Sequence, residues 1–463
     1  MKSTKREIGL YSFYDHTGIR AHLEQMAAKG WMLEKMGNWC WRYRRTEPRA
    51  VRFAVVYFPT ASDFDSSPGE DQQTFRDYCA AAGWKPVASW AQMLIFANES
   101  DTPVPIETDA AVQLDNIHRA MKRNFLPGHI VLLALYFLQM GMQLSDLWKH
   151  PADTLARPSF PLFMLCWPLA IAYCAAELTS YFLWRRRARR AAELDGSFTP
   201  TRGRRGFQAA GLVILVSLVL LWLFSLGGQY AAVVGAGALL ATVLLQCSVN
   251  GIKALMKRSG CSTGVNRAVT VAASFVLAFA LISGAAYCAV HWDEFRSDGG
   301  TYTYQGFTYD KTPIDLPLTT QDLTGQSYEH VSRNRSDSQS VFLARSTCWE
   351  RVQTGASHLS LSYEITDIRQ PWLRDVVVWD YLENTGFSVR VHGAITVAFN
   401  WDWLPQEAPE RWGADAVYRK CWDGGDVRDE YLLFFGDRVV DLTLDEEPTP
   451  AQMAVIGENL RTA

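Results

Sequence analysis

Glu177 is the one carboxylate well inside an otherwise apolar stretch, Phe160 to Trp184, where an ionised acid is costly and a proton or cation path would use one. Arg185 follows about two helical turns later, so pairing or snorkelling towards it is the plainer reading. Asp423-Gly-Gly-Asp426 with Asp429 and Glu430 offers oxygen ligands for calcium, but without the alternating ligand spacing of an EF-hand it reads as an ordinary turn. Trp401, Trp403, Trp412 and Trp422 are able to stack on sugars, and core packing is the commoner use of such rings. Arg42, Arg44 and Arg52 would give a basic sheet face. The neighbouring aromatics alternate onto the other face and no RNP motif is present, so direct nucleic-acid binding is not expected. His330, His358 and His392 have no recognisable partners for a nucleophile or a metal. There is no His-Glu-x-x-His, Gly-x-Ser-x-Gly, Walker loop, dinucleotide fingerprint or paired Cys-x-x-Cys. No catalytic residue, cofactor or metal is therefore predicted.

The elements that would position these groups are dominated by five apolar stretches: Phe125 to Leu147, Phe160 to Trp184, Phe207 to Leu226, Tyr230 to Val249 and Ala268 to Val290. Each is near the twenty residues that carry a helix across about 30 Å of hydrocarbon at 1.5 Å per residue. None has Lys or Arg at its centre. A mean hydropathy of -0.07 conceals them, because it averages them with two long polar flanks. Gly227, Gly228 and Gln229 would turn the third stretch into the fourth, and Pro168 would bend the second. Gln139, Gln143, Gln246 and Asn250 are suited to interhelical hydrogen bonds.

Orientation follows from the basic residues beside the stretches, because cationic loops resist translocation. Arg185, Arg186, Arg187, Arg189, Arg190, Arg202, Arg204 and Arg205 follow the second stretch, and Lys253, Lys257, Arg258 and Arg267 follow the fourth. The opposite loops hold only Lys149 and Arg157. This predicts a multi-pass protein of the cell membrane, N-terminus cytoplasmic and C-terminus extracytoplasmic, with the Arg185 to Arg190 cluster anchoring a helix at the lipid headgroups. The start, Met1-Lys-Ser-Thr-Lys-Arg-Glu, has no apolar signal-peptide core, so the N-terminal flank is expected to stay where it is made. Residues 1–124 hold 16 basic and 15 acidic side chains, 125–290 hold 14 and 5, and 291–463 hold 15 and 28, so the outer flank is acidic. Cys40, Cys79 and Cys261 fall inside by this topology, and Cys166, Cys174, Cys247 and Cys288 lie in or beside spans. Cys348 and Cys421 remain outside, in strand-like runs Val341 to Arg351 and Ala416 to Trp422. They are a disulfide candidate, and two free thiols fit as well.

The N-terminal flank repeats itself. Gln25-Met-Ala-Ala-Lys-Gly30-Trp31 recurs as Tyr78-Cys-Ala-Ala-Ala-Gly83-Trp84, each closing a helix at a left-handed glycine and opening a strand pair. The first helix should start near Asp15 or Thr17 and bury Ile19, Leu23 and Met26; the second carries a capping signature at Ser67-Pro68-Gly-Glu70. After each glycine the period becomes two, with Trp39, Trp41 and Tyr43 alternating with Cys40, Arg42 and Arg44. With the Arg52 to Phe58 strand this predicts a compact α+β sandwich with helices on one sheet face. A polar helix, Glu107 to Arg123, should run straight into the first span.

Beyond the spans, strands are expected at Tyr302 to Tyr309, Ser340 to Ala344, His358 to Thr366, Phe387 to Ala398, Tyr431 to Phe435 and Arg438 to Leu444. A helix over Pro371 to Asn384 should bury Trp372, Val376 and Trp379, and another from Thr449-Pro450 should turn Met453, Ile456 and Leu460 to one side. The predicted fold is a membrane protein with five α-helical spans, a cytoplasmic α+β domain carrying a helix-strand-strand repeat and an extracytoplasmic α+β domain. Its expected parts are residues 1–104, a helical linker 105–124, a membrane domain 125–290 and the outer domain 291–463.

Phe13-Tyr14-Asp15, Met26-Ala-Ala-Lys-Gly30-Trp31 and Gly83-Trp84, followed by spans, make the first 125 or so residues resemble a bacterial family titled domain of unknown function 2812. The resemblance implies an uncharacterised cytoplasmic domain and, by genomic association, a PadR-like transcriptional regulator as partner. It carries over no catalytic residue. With domains on two sides of a lipid bilayer, the chain is read as a membrane-anchored sensor or regulatory protein for an unknown envelope ligand. The alternatives are a small transporter or accessory permease subunit using Glu177, and an envelope-facing enzyme.

Overall fold

The computed structural model describes residues 3–37, 40–201, 203, 205–225, 228–290, 301–304, 306–311, 313–355, 357–384, 387–391, 395–422 and 425–463. Of the residues invoked above, Met1, Lys2, Trp39, Arg202, Arg204, Leu226, Gly227, His392, Asp423 and Gly424 lie outside them, as do 291–300. The chain forms two compact units, Met1–Gln139 with Cys166–Cys288, and Met140–Leu165 with Ala289–Ala463.

The repeat in the first unit is longer than its signature. Strands β1 (Thr4–Ile8), β2 (Trp31–Lys35) and β3 (Cys40–Arg45) surround helix α1 (His16–Ala28), and β4 (Arg52–Tyr57), β5 (Lys85–Trp90) and β6 (Met93–Asn98) surround α2 (Glu70–Ala81). The sheet orders, β1-β3-β2 and β4-β6-β5, are the same. The unit of repetition is thus strand-helix-strand-strand. β1 escapes a hydropathy reading because Thr-Lys-Arg-Glu-Ile is an exposed edge strand, and β4 opens the second copy.

The expected arrangement of both helices on one sheet face is not found. α1 packs on β4 of the other copy, and Glu24 accepts from the Phe53 amide at 3.4 Å, while α2 covers the opposite face of that sheet through Phe75 and Cys79. β6 is consequently buried along its whole length. Gly30 and Gly83 have φ of 77° and 83°, the left-handed values that end each helix. Ile19, Leu23 and Met26 are buried as expected. The capping signature before α2 is not used: its N-cap is Gly69, with no side-chain hydrogen bond, and Ser67 is exposed.

α3 (Ala110–Lys149) is one helix of 40 residues with Pro127 inside it. It is followed by α4 (Pro151–Ala156), α5 (Phe160–Asp195, Pro168 inside), α6 (Arg205–Ser225), α7 (Gly228–Arg258) and α8 (Thr263–Val290). Among the described residues, α3, α5 and the Thr263–Leu281 part of α8 are long and apolar enough to cross a membrane. Large apolar side chains such as Val131, Leu135, Phe137, Phe275 and Phe279 are exposed on them, as lipid-facing surfaces require.

The second unit is built on a seven-stranded antiparallel sheet. Its strands in spatial order are β14 (Trp401–Pro405), β15 (Ala416–Trp422), β16 (Asp426–Phe435), β17 (Arg438–Thr443), β11 (Ser357–Ile368), β10 (Leu343–Thr354) and β9 (Val331–Gln339). The runs Tyr302 to Tyr309 and Phe387 to Ala398 are hairpins, β7 (Thr301–Tyr304) with β8 (Phe307–Asp310) and β12 (Phe387–Val391) with β13 (Ile395–Phe399). Helices α9 (Thr320–Thr324) and α11 (Pro450–Thr462) cover one face. Thr449 and Gln452 form a capping box on α11, and Ile456 and Leu460 are fully buried. The other face meets α10 (Arg374–Leu382) with its N-cap, α4 and the first residue of α5 through Val377, Leu373, Leu155 and Phe160. α10 is turned one residue from expectation. Leu373 and Val377 are buried, whereas Trp372 is 69%, Val376 40% and Trp379 37% exposed. Both sides of this segment are apolar, so spacing alone does not select the buried one.

Cys348 and Cys421 are free thiols. They lie on β10 and β15 with β11, β17 and β16 between them, so strand spacing alone separates them by about 19 Å, far beyond the reach of a disulfide. The two runs share a sheet without being neighbours, which rules out the candidate bond.

Candidate functional site

The most elaborate polar assembly of the first unit is where the repeat meets the connections between long helices. Phe13 sets its ring edge-on to Tyr57 and Trp90 at 5.5 and 5.4 Å, and its carbonyl accepts the Tyr57 hydroxyl at 2.5 Å. The next residue, Tyr14, packs on Tyr181 and Trp184 of α5 at 5.2 and 5.4 Å. Asp15, 3% exposed, caps α1 by accepting from the Gly18 amide at 3.1 Å, and the same oxygen accepts the Thr201 hydroxyl at 2.5 Å. Thr201 also donates its amide to Thr17 Oγ1 at 2.9 Å, and Thr17 donates to the Thr201 carbonyl at 3.0 Å. Gln208 donates to Ser12 at 3.0 Å, and Arg205 pairs with Glu7 at 2.6 Å. Thr201, in the segment joining α5 to α6, therefore holds the start of α1 at Asp15 and Thr17, and Arg205 and Gln208 of α6 add contacts to Glu7 and Ser12.

A second grip comes from the opposite end of α7. Lys253 pairs with Asp63 at 2.7 Å and lies 4.9 Å from the Phe64 ring, while Asp63 also accepts the Ala91 amide at 3.0 Å. Burial alone would raise the Asp63 carboxyl, but the Lys253 ammonium and the Ala91 amide outweigh it and hold it below the usual carboxylate range. Thr263 donates to Asp65 at 2.7 Å, and Asn266, fully buried, donates to the Phe64 carbonyl at 2.9 Å.

Beside α1 lies a cavity of about 390 Å³ lined by His16, Arg20, Arg52, Trp84, Glu107 and Gln113. Gln113 donates to Glu107 Oε2 at 2.7 Å, and Oε1 is buried without a hydrogen-bond partner among the described residues. Burial raises the Glu107 carboxyl and lowers the His16 imidazole. Among its described lining residues the cavity shows no nucleophile or metal-ligand set. No group of His, Cys, Asp and Glu able to hold a metal is found among the described residues.

The remaining candidates are dispersed. Glu177 is 2% exposed on α5. Arg186, Arg187, Arg189 and Arg190 are exposed along α5, with Arg189 paired to Glu193 one turn on, and Arg185 is half-buried. In the second unit, Arg428 pairs with Asp426, Arg419 with Asp429 and Lys420 with Glu430, while Asp423 lies outside the described residues. Trp412 is core, 3% exposed, as expected of most of these rings. Trp401, Trp403 and Trp422 instead wall Lys420, whose ammonium is 4.4, 5.8 and 5.1 Å from their centres.

One cluster escaped the sequence. Asp441 stands directly opposite Glu364, and its carboxyl is pushed up to about 6, first by burial and then by Glu364. Glu364 accepts the Tyr381 hydroxyl at 2.7 Å and pairs with Arg345, which also reaches Asp153 at 3.2 Å. Charged residues at alternate positions of apolar strands are the one signal that would have found it.

The fold and these assemblies define a membrane-associated, mixed α+β protein whose N-terminal repeat is fastened to helix connections. Residues 16–127 match a protein family described as Protein of unknown function (DUF2812). The match starts at α1 and ends at Pro127, and the Phe13-Tyr14-Asp15 signature immediately precedes it. No curated protein and no solved structure matches the chain.

Proposed function

We propose that this is a membrane-anchored sensor or regulatory protein with five spans, its repeat domain cytoplasmic and its seven-stranded domain extracytoplasmic. In that role an envelope ligand biases the helices and the repeat domain reads out their state. The observation that carries this reading is the double grip: Thr201 on Asp15 and Thr17, and Lys253, Thr263 and Asn266 on residues 63–65. A domain tethered only to localise it would need neither. Both gripping connections belong to the arginine- and lysine-rich set that resists translocation, which supports a cytoplasmic repeat. A relay needs two arrangements with different ligand affinity, and a shift of a few kcal/mol between them suffices. A PadR-like regulator, the partner implied by the family resemblance, is the protein expected to co-purify.

The test begins in the second unit. Arg345→Ala removes the bridge to Asp153 that holds the α3–α5 connection. In the full chain in nanodiscs, hydrogen exchange over residues 12–18 and 60–66 should rise. Unchanged exchange there, with the variant folded, would count against a relay.

The burial of Glu177 favours one other reading, a transporter or accessory permease. Glu177→Gln should then abolish a pH-dependent flux in liposomes, whereas a retained flux removes it.

A further inference from the structure

A cavity of about 640 Å³ lies between the repeat and α7, and its charge has no counterpart in the mechanism above. α7 lines it with Gln246, Asn250, Lys253 and Lys257, spaced four, three and four residues apart and therefore stacked on one helix face. Lys35 and Trp90 close it from the repeat. Three ammonium groups meet one lining carboxylate, Asp63, which Lys253 already occupies at 2.7 Å. Lys257 is half-buried. Burial first, and then Lys253 and Lys35, hold its ammonium below the usual range, with Asp63 and Asp65 opposing. Like charges gathered in a partly enclosed space destabilise one another unless an anion joins them. Below the lysines the two amides, Gln246 and Asn250, supply N–H donors towards the apolar part of the helix.

We propose that this cavity binds a phosphate group, with Lys35 and Lys257 as its ammonium ligands and Gln246 and Asn250 as its amide donors. Lys253 remains with Asp63 and fixes the wall. Because the cavity includes both the repeat and α7, an occupant adds contacts to each and tightens the grip described above. The phosphate has two possible sources. If the chain spans the bilayer, the amides stand at the depth of inner-leaflet headgroups, so a phosphatidylglycerol-type phosphodiester reaches the lysines from the membrane. A free phosphate reaches them from solution. The lipid source rests on the membrane reading and the free one does not.

The full chain would be exchanged into nanodiscs of phosphatidylcholine alone, or of phosphatidylcholine with phosphatidylglycerol, and its thermal midpoint followed with and without inorganic phosphate. A saturable rise with one of the two anions is expected. Lys35→Gln/Lys257→Gln should weaken it about tenfold or more without lowering the starting midpoint, since two mutually repelling charges are removed, and Lys35→Arg/Lys257→Arg should largely restore it. Wild-type protein that responds to neither anion, or a double glutamine variant that responds as wild type, overturns the proposal. The single variant Lys35→Gln, at an exposed strand end, keeps the test valid should the double variant fold poorly. A response to inorganic phosphate alone removes the lipid source and keeps the site. Release of the chain from membranes by alkaline carbonate removes the membrane reading and leaves the phosphate result standing.

Discussion

The two copies of the repeat share a sheet order and a Gly-Trp closure, yet their helices lead different lives. α1 buries His16, Ile19, His22, Leu23, Met26 and Ala27, while α2 buries only Gln72 and Cys79. At matched positions Leu23 corresponds to Arg76, Met26 to Cys79 and Ile19 to Gln72. α1 is enclosed because it packs on β4 of the other copy within a core that also takes in residues of α3 and α5, whereas α2 covers an outer face. One local code thus serves two ends: the helix of the first copy is enclosed against the long helices, and the second copy, itself held to α7 and α8 through residues 63–65, supplies the sheet on which that helix rests.

Three pairs of substitutions and one titration would sharpen or break that contrast. Leu23→Ala should cost about 2–5 kcal/mol in equilibrium denaturation of the full chain in micelles, against under about 1 kcal/mol for Arg76→Ala at the matched position. Equal losses would mean that the copies are equally enclosed. Gly30→Ala should cost more than about 2 kcal/mol, because a Cβ there meets the Thr46 carbonyl oxygen at 2.7 Å besides the left-handed strain. Gly83→Ala should cost nearer 1 kcal/mol, since its Cβ meets only the Asn98 side-chain amide, at 3.2 Å. Asp15→Ala removes both a cap and the Thr201 bond and should cost about 1–2 kcal/mol, while Ser67→Ala before α2 should change stability by less than about 0.5 kcal/mol.

The smallest effect is a pH dependence confined to the first copy. Burial lowers the imidazoles of both His16 and His22, so the unfolded chain binds more protons than the folded one just below pH 6.5. Stability contributed by their neutral forms is present above that pH and is lost as pH falls towards the depressed folded values. Exchange protection should therefore drop in α1, β2 and β3 between pH 7.5 and 5 and hold in α2, which has no histidine. A parallel drop in both copies would break the comparison.

Much of this was legible in the residues. The glycine closures, the faces of α1 and α11, and the fusion of a polar helix with an apolar one into α3 all follow from spacing and length, because each is decided within a few turns of chain. What stayed hidden depends on partners distant in sequence. The buried side of α10 is chosen by α4 and the sheet, not by its own apolar residues, and the seven-strand order that separates Cys348 from Cys421 has no local signal. Asp15 could be read as a helix start, but not as the residue that Thr201 reaches from 186 positions away. Gln246 and Asn250 read as interhelical bonds because Lys35 and Trp90, which complete their cavity, come from a strand pair far upstream.

The account stands on the two domains facing different compartments. Its most direct test is labelling of sealed cells with a membrane-impermeant maleimide, using Cys40, exposed in the repeat, and Ile314→Cys, at a 45% exposed position of the second unit. The account predicts that Ile314→Cys reacts in sealed cells and that Cys40 reacts only after permeabilisation. Reaction of Cys40 in sealed cells with Ile314→Cys protected would contradict it.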